Sequence, residues 1–361
     1  MTSSVEMLRG GIVESRHRVS VAAVTADGSL VAWTGDPDLW TYWRSCAKLV
    51  QVLPLIADGA AAALGIADPE IAVACASHNG EPRHVEVVEG LLRKAGCTES
   101  DLACGPHSSL SPAVARAMAE RGEQPRKIHS NCSGKHAGML ALARFHGWPT
   151  ADYRRAGHPV QRRMLSEAAR WTDVPEQRLG QGVDGCGVVS FALPLRNMAL
   201  AYARLGSRAE PTGGRGQGLG VRHATPQLPN PQPLAPNPAL SAAADRVISS
   251  ITADPFLVAG TGRLCTEVIS GSGGRVIAKV GAEGVYCAMI PEARLGVALK
   301  VEDGDVESSR LALLGTLEAL APGVVQVAES FRSPVLKNTL GEVVGHLAAT
   351  IVLERNGGRT R

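Results

Sequence analysis

The chain has 361 residues, of which 45% are hydrophobic and 20% are charged, and its formal net charge at pH 7 is only +3. This composition is typical of a soluble globular protein with a substantial core, and it excludes a disordered chain or a small disulfide-stapled scaffold. A net charge this low gives no reason to expect a nucleic acid or an anionic membrane as a partner.

The sequence also predicts a compartment. No apolar run reaches the roughly 18 residues that a membrane-spanning helix needs. The amino-terminal residues MTSSVEMLRGGIVES lack the basic start and the apolar stretch of a signal peptide. We therefore predict a cytoplasmic protein that makes no membrane contact, and whose eight cysteines are reduced.

The first half of the chain is predicted to contain a hairpin, a buried strand and several helices. Asp27-Gly28 is a typical hairpin tip between two alternating segments. The apolar run IAVACAS is typical of a buried strand that ends at Ser77. Helical spacing of apolar residues, with glycine stops, indicates the helices. The predicted ranges are 10–34 for the hairpin, 45–64 for a helix interrupted at Pro54, 71–77 for the strand, and 84–97, 132–147 and 188–206 for further helices.

The second half is predicted to return to a sheet. Residues 206–238 hold thirteen Gly and Pro among thirty-three residues, which predicts a flexible or extended surface excursion. A helix at 239–252, the three strands GRVIAKV, GVYCAMI and RLGVALKVEDG, and a helix from about 306 follow. Strands near both chain ends around a mainly helical middle predict an α+β fold with an antiparallel sheet. We expect one domain over residues 1–361, with a helical subdomain at about 45–265 and the sheet from about 10–34 and 270–303.

Ser45 and Lys48 are three residues apart on a predicted helix and therefore share a face. A neutral lysine amine in this position could take the proton of the serine hydroxyl and so create a nucleophile. A single SxxK match is weak, and an exposed polar pair at a helix start is the simpler explanation of this cluster alone.

Two further clusters strengthen that reading, namely Ser77-His78-Asn79 and Lys279-Val280-Gly281. Each alone has an ordinary explanation, because Ser77 could cap a turn and Lys279 could be solvated. The order SxxK, SxN, KxG is the signature of serine penicillin-binding proteins and β-lactamases, in which two Ser–Lys pairs flank an acyl centre. The three clusters together therefore predict a serine-based acyl-transfer site.

The segments HSNCSGKHAGM and GVDGCGV are predicted to form two halves of one site. Cys132 and Lys135 lie at a helix start, where the helix dipole favours a thiolate and a neutral amine. Asp184 and Cys186 lie in a glycine-rich turn. Two thiolates would bind a soft divalent ion such as zinc, although a Cys132–Cys186 disulfide or two inert thiols are alternatives. His136 is a more usual metal ligand by type, or equally a donor to a substrate.

These motifs together resemble the asparaginase II family, that is, the rhizobial-type or class 3 L-asparaginases. The resemblance covers most of residues 10–350, and HSNCSGKHAGM and VDGCG are its most specific parts. It implies a fold similar to the serine β-lactamases and glutaminases, a homodimer, and hydrolysis of L-asparagine to L-aspartate and ammonia. The segments that carry it are, in chain order, GGIVES, RSCAK, CASHNGE, CGPHSSL, HSNCSGKHAGML, GHPVQ, VDGCG, AKVGAEGVY and LKVEDGD.

The resemblance implies a catalytic role for four residues. The two Ser–Lys tandems of the family match Ser45 with Lys48 and Ser77 with Lys279. Ser45 would be the nucleophile, and the second tandem would shuttle protons and help to expel ammonia. An acyl intermediate also needs an oxyanion hole, for which the backbone amides near Ser45 and Gly281 are candidates.

The resemblance further implies a metal site and a substrate pocket. The zinc ligands of the family match Cys132, Lys135 and Cys186, and one zinc ion per chain would shape the pocket rather than act as an indispensable Lewis acid. Asp184 would hold the α-amino group of the substrate. The remaining pocket residues implied by the resemblance are Arg44 and His136.

Two positions depart from the family pattern, since Leu49 stands where proline is usual and Val183 where threonine is common. Neither removes a catalytic group. A glutaminase or another small-amide hydrolase stays an alternative, because one methylene is worth only about 1–3 kcal/mol in a pocket. A non-catalytic metal-binding protein is disfavoured by the intact Ser–Lys pairs. A penicillin-recognising protein is disfavoured by the missing export signal and by the cysteine site.

Overall fold

Most strands belong to one antiparallel sheet in the computed structural model, which describes residues 3–207 and 238–356. The strands are β1 (Ser4–Arg9), β2 (Ile12–Thr25), β3 (Leu30–Thr34), β4 (Trp40–Tyr42), β5 (Gly180–Val183), β6 (Val189–Pro194), β7 (Ile277–Val280), β8 (Val285–Ile290), β9 (Leu295–Val301), β10 (Val335–Lys337), β11 (Val343–Thr350) and β12 (Glu354–Arg355). They pair in the order β10-β11-β1-β2-β9-β8-β7, with β3 beside β2 and β12 beside β3. A second, small sheet has the order β4-β6-β5.

The large sheet joins both ends of the chain. Ser4 of β1 lies opposite Thr350 of β11, and Val19 of β2 lies opposite Val301 of β9. The predicted α+β fold with an antiparallel sheet from both chain ends is therefore confirmed. The sheet is nevertheless wider than expected, because β1, β10 and β11 lie outside the predicted sheet ranges.

The predicted hairpin is present between β2 and β3. At its tip the Thr25 amide donates to the Ser29 carbonyl over 3.0 Å, and Gly28 has a φ of +92°, which glycine adopts without strain. The amino-terminal half of β2 is largely exposed, whereas residues 19–24 are buried against the helices. The core of the molecule therefore lies over the carboxyl-terminal half of this strand.

Helices cover the faces of the sheet and fill the middle of the chain. Short 3₁₀ turns join several of them, including Arg44–Ala47 directly before α1. The helices are α1 (Lys48–Gln51), α2 (Leu53–Ala57), α3 (Ala60–Ala63), α4 (Asp68–Ala74), α5 (Pro82–Lys94), α6 (Pro112–Glu120), α7 (Ser133–Phe145), α8 (Pro159–Thr172), α9 (Leu195–Ser207), α10 (Pro238–Ala253), α11 (Leu264–Gly271), α12 (Val306–Leu320) and α13 (Glu329–Arg332).

The prediction of a strand at 71–77 is wrong, because most of this segment belongs to α4. The helix begins at Asp68-Pro69, and the Glu70 carboxylate accepts from the Ala67 amide over 2.7 Å, which is a typical helix start. The helix packs against α5, α7 and α10, and residues 70–74 are all buried. A short segment that is apolar on every side cannot be assigned to a strand or a helix from its periodicity.

The predicted helix at 188–206 is right only in its second part. Residues 189–194 form β6, the central strand of the small sheet, and α9 begins at Leu195. The predicted excursion at 206–238 falls, apart from its two ends in α9 and α10, outside the described residues. Within the described ranges, no helix is both long and apolar enough to span a bilayer.

Helices α4 and α7 approach each other closely, and this contact positions the site. A Cβ atom on Gly134, in the first turn of α7, would lie 2.1 Å from the Val73 carbonyl oxygen of α4. Only glycine allows such an approach of two backbones. The amino-terminal end of α7 is thereby held next to the residues that follow α4.

Candidate active site

Ser77 lies at the centre of the site, directly after α4. Its hydroxyl oxygen accepts a hydrogen bond from Lys279 Nζ over 2.7 Å and another from Lys48 Nζ over 3.1 Å. All three side chains are buried. Lys48 begins α1 and Lys279 lies on β7, so a helix, a loop and the edge strand of the sheet meet at one hydroxyl.

Backbone hydrogen bonds hold the loop that carries Ser77. The Ser77 amide donates to the Val258 carbonyl over 3.0 Å, and the Asn79 amide donates to the Ala259 carbonyl over 2.8 Å. Arg263 Nη1 donates to Asn79 Oδ1 over 2.8 Å. An irregular buried loop needs such partners for its polar groups, and they fix Ser77 relative to the two lysines.

Lys48 connects the serine cluster to the cysteine cluster. Besides Ser77, its ammonium nitrogen contacts the Ala76 carbonyl oxygen at 2.5 Å, the Asn131 carbonyl oxygen at 3.4 Å and Cys132 Sγ at 3.2 Å. The SxxK motif, the SxN motif and the HSNCSGK segment therefore meet at the Lys48 side chain.

Lys279 has an unusual acidity. Burial, together with the nearby charge of Lys48, lowers the pKa of Lys279 to about 8. At mildly alkaline pH, the Lys279 amine is therefore neutral in a substantial fraction of the molecules. A group that accepts and returns protons needs such a pKa.

Ser45 lies apart from this hydrogen-bonded group. It is partly exposed on the 3₁₀ turn before α1, and its hydroxyl makes no hydrogen bond to Lys48 or to another part of the described chain. The preceding residue, Arg44, has a φ of +52°, in the left-handed region that non-glycine residues rarely adopt. The structure thus brings Lys48 to Ser77, and leaves the Ser45 hydroxyl free at the surface of the site.

Arg44 and Asp184 form an ion pair at the rim of the site. Arg44 Nη2 and Nε lie 3.0 Å and 3.1 Å from Asp184 Oδ1, and the Gly185 amide donates to the same oxygen over 2.7 Å. Burial opposes the charge of Asp184, but the charges of Lys135 and Arg44 lower the pKa of Asp184 below its usual value. Its second carboxylate oxygen accepts no hydrogen bond from the described residues.

The two predicted halves of the cysteine site do meet. Lys135 Nζ donates to Cys186 Sγ over 3.1 Å. The Cys132 thiol shares a hydrogen bond with Cys186, which raises the pKa of Cys132 to about 12 and lowers that of Cys186 to about 4. Burial opposes the charge of Lys135, but the negative charge of Cys186 raises the pKa of Lys135. These shifts favour the thiolate at Cys186 and a charged Lys135, whereas the helix dipole alone favours a thiolate at Cys132 beside a neutral amine.

These three side chains fit a soft metal ion by their chemistry. Two sulfur atoms and one amine nitrogen converge, and both thiols are free cysteines. Lys135 would have to lose its proton to become a ligand. Within residues 3–207 and 238–356, no group of three or more His, Cys, Asp and Glu side chains could hold a metal ion, so a site here depends on the lysine.

His136 is fully buried on α7, and only one of its ring nitrogens has a partner in the described chain. Nδ1 lies 2.5 Å from the hydroxyl oxygen of Tyr153, and Nε2 has none. Burial and the charge of Lys135 lower the pKa of His136 to about 3, so the imidazole is neutral. Tyr153 was missed by the sequence analysis, because it lies outside every motif and no local pattern connects it to His136.

The structure corrects one candidate donor for an oxyanion hole. The Gly281 amide donates to the Val285 carbonyl over 2.8 Å and is therefore part of the sheet pairing. The next residue, Ala282, is exposed, and its amide has no hydrogen-bond partner in the described part of the chain. Gly281 itself packs against the turn that carries Ser45, since a Cβ atom there would lie 3.2 Å from Cys46 Sγ.

A sequence comparison identifies the family to which the chain belongs, and with it the class of the amide hydrolases. The family model for L-asparaginase II matches residues 5–349. The chain belongs to the L-asparaginase II family, and this membership supports a hydrolase that acts on amides. A comparison with curated proteins finds no match.

Solved structures show more distant similarity. Mglu in its L-glutamate-binding form is 16% identical, with a TM-score of 0.37 over 87% of this chain and 62% of that chain. Native Mglu is 14% identical, with a TM-score of 0.37 over 87% and 63% of the two chains. A mutant of the simvastatin synthase LovD from Aspergillus terreus is 11% identical, with a TM-score of 0.31 over 78% and 86%. The chain thus spans a little over three fifths of these two Mglu chains.

Proposed function

We propose that the protein is an L-asparaginase, which hydrolyses L-asparagine to L-aspartate and ammonia. The observation that carries the proposal is the hydroxyl of Ser77 held between the amines of Lys48 and Lys279. Lys48 follows Ser45 by three residues at the end of the same turn. Membership of the L-asparaginase II family supports the amide as the bond that is broken.

In the proposed reaction, Ser45 Oγ attacks the side-chain amide carbon of the substrate, and Lys48 in its neutral form accepts the serine proton. The tetrahedral intermediate collapses when its C–N bond breaks, and the leaving nitrogen takes a proton and departs as ammonia. The hydrogen-bonded path Lys48–Ser77–Lys279 supports the delivery of that proton. A water molecule then hydrolyses the acyl-enzyme, releases aspartate and restores the Ser45 hydroxyl.

The charge that develops on the carbonyl oxygen needs preorganised donors. The Gly281 amide is already bonded, so we assign this role to the amides of Ser45 and Ala282. The close packing of Gly281 against Cys46 keeps these two amides on neighbouring segments.

Asp184 supports recognition of the substrate's α-amino group. Arg44 and the Gly185 amide both bind its Oδ1, which orients the carboxylate and leaves Oδ2 for an ammonium group. Arg44 therefore contributes by holding Asp184 as well as by lining the pocket.

We further propose that Cys132, Lys135 and Cys186 bind one zinc ion per chain. The 3.1 Å distance from Lys135 Nζ to Cys186 Sγ, and the position of Cys132 three residues before Lys135 at the start of α7, support this ligand set. When bound, the metal would neutralise the thiolate charge and shape the wall of the pocket.

The decisive experiment measures ammonia release from L-asparagine and from L-glutamine by the wild type, Ser45→Ala and Ser249→Ala. Ser249 is an exposed serine on α10, whose hydroxyl bonds only within its helix, and its substitution controls for the loss of a serine hydroxyl. We expect asparagine to be preferred, and Ser45→Ala to lose at least about 10³-fold in kcat/KM. A preference for glutamine would identify a glutaminase. Full activity of Ser45→Ala would contradict the assignment of the nucleophile.

The metal proposal has its own measurement, the zinc content of the purified protein. We expect about one zinc per chain in the wild type. The control variant Cys97→Ser should contain the same amount, because the buried Cys97 thiol donates to the Ala95 carbonyl and is not a proposed ligand. We expect Cys186→Ser to lose most of the zinc, because it removes one of two sulfur ligands. Wild-type protein that contains no zinc after purification without chelators would rule out a constitutive site.

A further inference from the structure

The unpartnered nitrogen of His136 is the most informative polar atom of the site. His136 is completely buried, and its Nε2 finds no hydrogen-bond partner among the described residues. An unsatisfied buried polar group is costly, so such a group in a native protein calls for an explanation. His136 follows Lys135 directly in the chain, and its backbone amide donates to the Cys132 carbonyl over 3.0 Å, so the residue lies beside the proposed metal ligands.

The hydrogen bonds of Tyr153 determine which nitrogen of the His136 imidazole carries a proton. Its hydroxyl oxygen accepts the Ala103 amide over 2.9 Å and lies 2.5 Å from His136 Nδ1. A backbone amide can only donate, so the single hydroxyl proton of Tyr153 is available for Nδ1. If Nδ1 instead carried the proton, the buried hydroxyl would accept twice, and its own proton would have no acceptor in the described chain.

Tyr153 is held in place independently of the imidazole. Its ring is buried and packs edge-on against His136 at 5.5 Å, and Gln161 Nε2 of α8 donates to its carbonyl over 2.9 Å. The hydroxyl is therefore a fixed donor, and the tautomer of His136 follows from it.

We infer that Tyr153 is a positioning residue, which holds His136 in the tautomer with the proton on Nε2, so that this N–H donates to an oxygen atom of the amino-acid substrate. The inference rests on the proposed function for the identity of the substrate. It also removes His136 Nε2 from the candidate metal ligands, because a nitrogen that carries a proton has no lone pair to give.

The first test is kinetic and uses the full chain with Tyr153→Phe, His136→Gln and the double variant. Glutamine keeps a nitrogen donor near the position of Nε2 but does not depend on Tyr153. We expect Tyr153→Phe to raise KM for L-asparagine about tenfold and to change kcat less than about threefold, as expected for the loss of a binding hydrogen bond. In the His136→Gln background, Tyr153→Phe should have no further effect on KM.

Tyr286→Phe is the matched control, because Tyr286 is also buried and its hydroxyl, among the described residues, has one hydrogen-bond partner, Cys265 Sγ at 3.9 Å. We expect its KM to stay at the wild-type value. An equal increase of KM for Tyr153→Phe in both His136 backgrounds would overturn the inference, since Tyr153 would then act only on the fold.

The second test does not depend on turnover. Proton–nitrogen correlation spectra of labelled histidine should show the His136 proton on Nε2 in the wild type, displaced when L-aspartate is added, and redistributed between both nitrogens in Tyr153→Phe. A proton on Nδ1 in the wild type would overturn the tautomer, and an Nε2–H signal that saturating L-aspartate leaves unchanged would overturn its role as a substrate donor. A lack of amidase activity in the wild type would instead contradict the proposed function, while the spectra would still decide the tautomer.

Discussion

The side chain of Lys279, for which we propose a catalytic role, lowers the stability of the folded protein. It is buried beside Lys48, which together with burial lowers the pKa of Lys279 to about 8. Between pH 8 and about 10.5, the unfolded chain binds a proton that the folded chain has released, so the stability of the wild type rises with pH in this window. Below pH 8 the full penalty of the buried charge is present.

We therefore expect Lys279→Met to be inactive but more stable than the wild type at pH 7, by about 1–3 kcal/mol in the free energy of unfolding. This advantage should disappear as the pH rises above about 10.5. Urea unfolding at a series of pH values, together with ammonia release, measures both effects.

Lys300→Met provides the matched control for this experiment. Lys300 is also buried, and its ammonium group donates to the carbonyl oxygens of Glu283, Val301 and Glu302, whereas Lys279 donates to Ser77 Oγ and one carbonyl oxygen. The Val301 carbonyl still accepts from the Gly304 amide, but removal of Lys300 takes a donor from the other two carbonyls and should destabilise the protein at pH 7. If Lys279→Met were destabilising to the same extent, the charge of Lys279 would not be the source of the cost.

At the level of elements, the contact between α4 and α7 links the serine and cysteine clusters. We expect Gly134→Ala to lower the free energy of unfolding by about 2–4 kcal/mol, because the new Cβ would overlap the Val73 carbonyl. Activity should fall as well, since α7 carries Cys132 and Lys135 towards Lys48. Gly157→Ala, where a Cβ atom meets nothing within 4 Å, should be neutral or slightly stabilising. Thermal unfolding and kcat/KM of both variants would test this, and a silent Gly134→Ala would contradict the close approach.

The elements also show what sequence patterns can predict. Helix α5 has clear amphipathic spacing and a glycine stop at Gly96, and it was predicted to within two or three residues at each end. Helix α4 was not, because it is buried on every side and therefore has no polar face to reveal its period. The prediction for α4 failed because its apolar sequence pattern fits a strand as well as a helix, and packing against other helices decides between them.

For the candidate site, motif order predicted more than local chemistry did. The family resemblance that the motifs carry implied that Ser77 and Lys279 belong together, and the structure joins them over 2.7 Å. The contact of Lys48 with Ser77 instead of Ser45, the division of charge between the two thiols, and the role of Tyr153 depend on distances between segments far apart in sequence. Their catalytic roles stay predictions until the variants are measured.

At the scale of the whole molecule, the candidate site lies at one edge of the large sheet, and the two ends of the chain pair towards the opposite edge. Lys279 lies on β7 at one edge, whereas β10 and β11 form the other edge. The predicted homodimer adds a further level of assembly, which the molecular mass of the purified protein in solution would measure. Within one chain, this separation implies that the stability of the far edge and the chemistry of the site can be changed independently.

Gly345 of β11 offers a way to test this separation, because a Cβ atom there would lie 2.3 Å from the Leu8 carbonyl oxygen of β1. We expect Gly345→Val to weaken the pairing of the two chain ends and to lower the free energy of unfolding by about 2–3 kcal/mol. The neighbouring His346→Val places the same side chain at an exposed position of the same strand, and should change stability by less than about 0.5 kcal/mol. Well below its unfolding transition, Gly345→Val should keep the wild-type kcat/KM. A loss of kcat/KM in the folded variant would mean that strain at β11 crosses the sheet through β2, β9 and β8 and reaches Lys279, and the two edges would then form one cooperative unit.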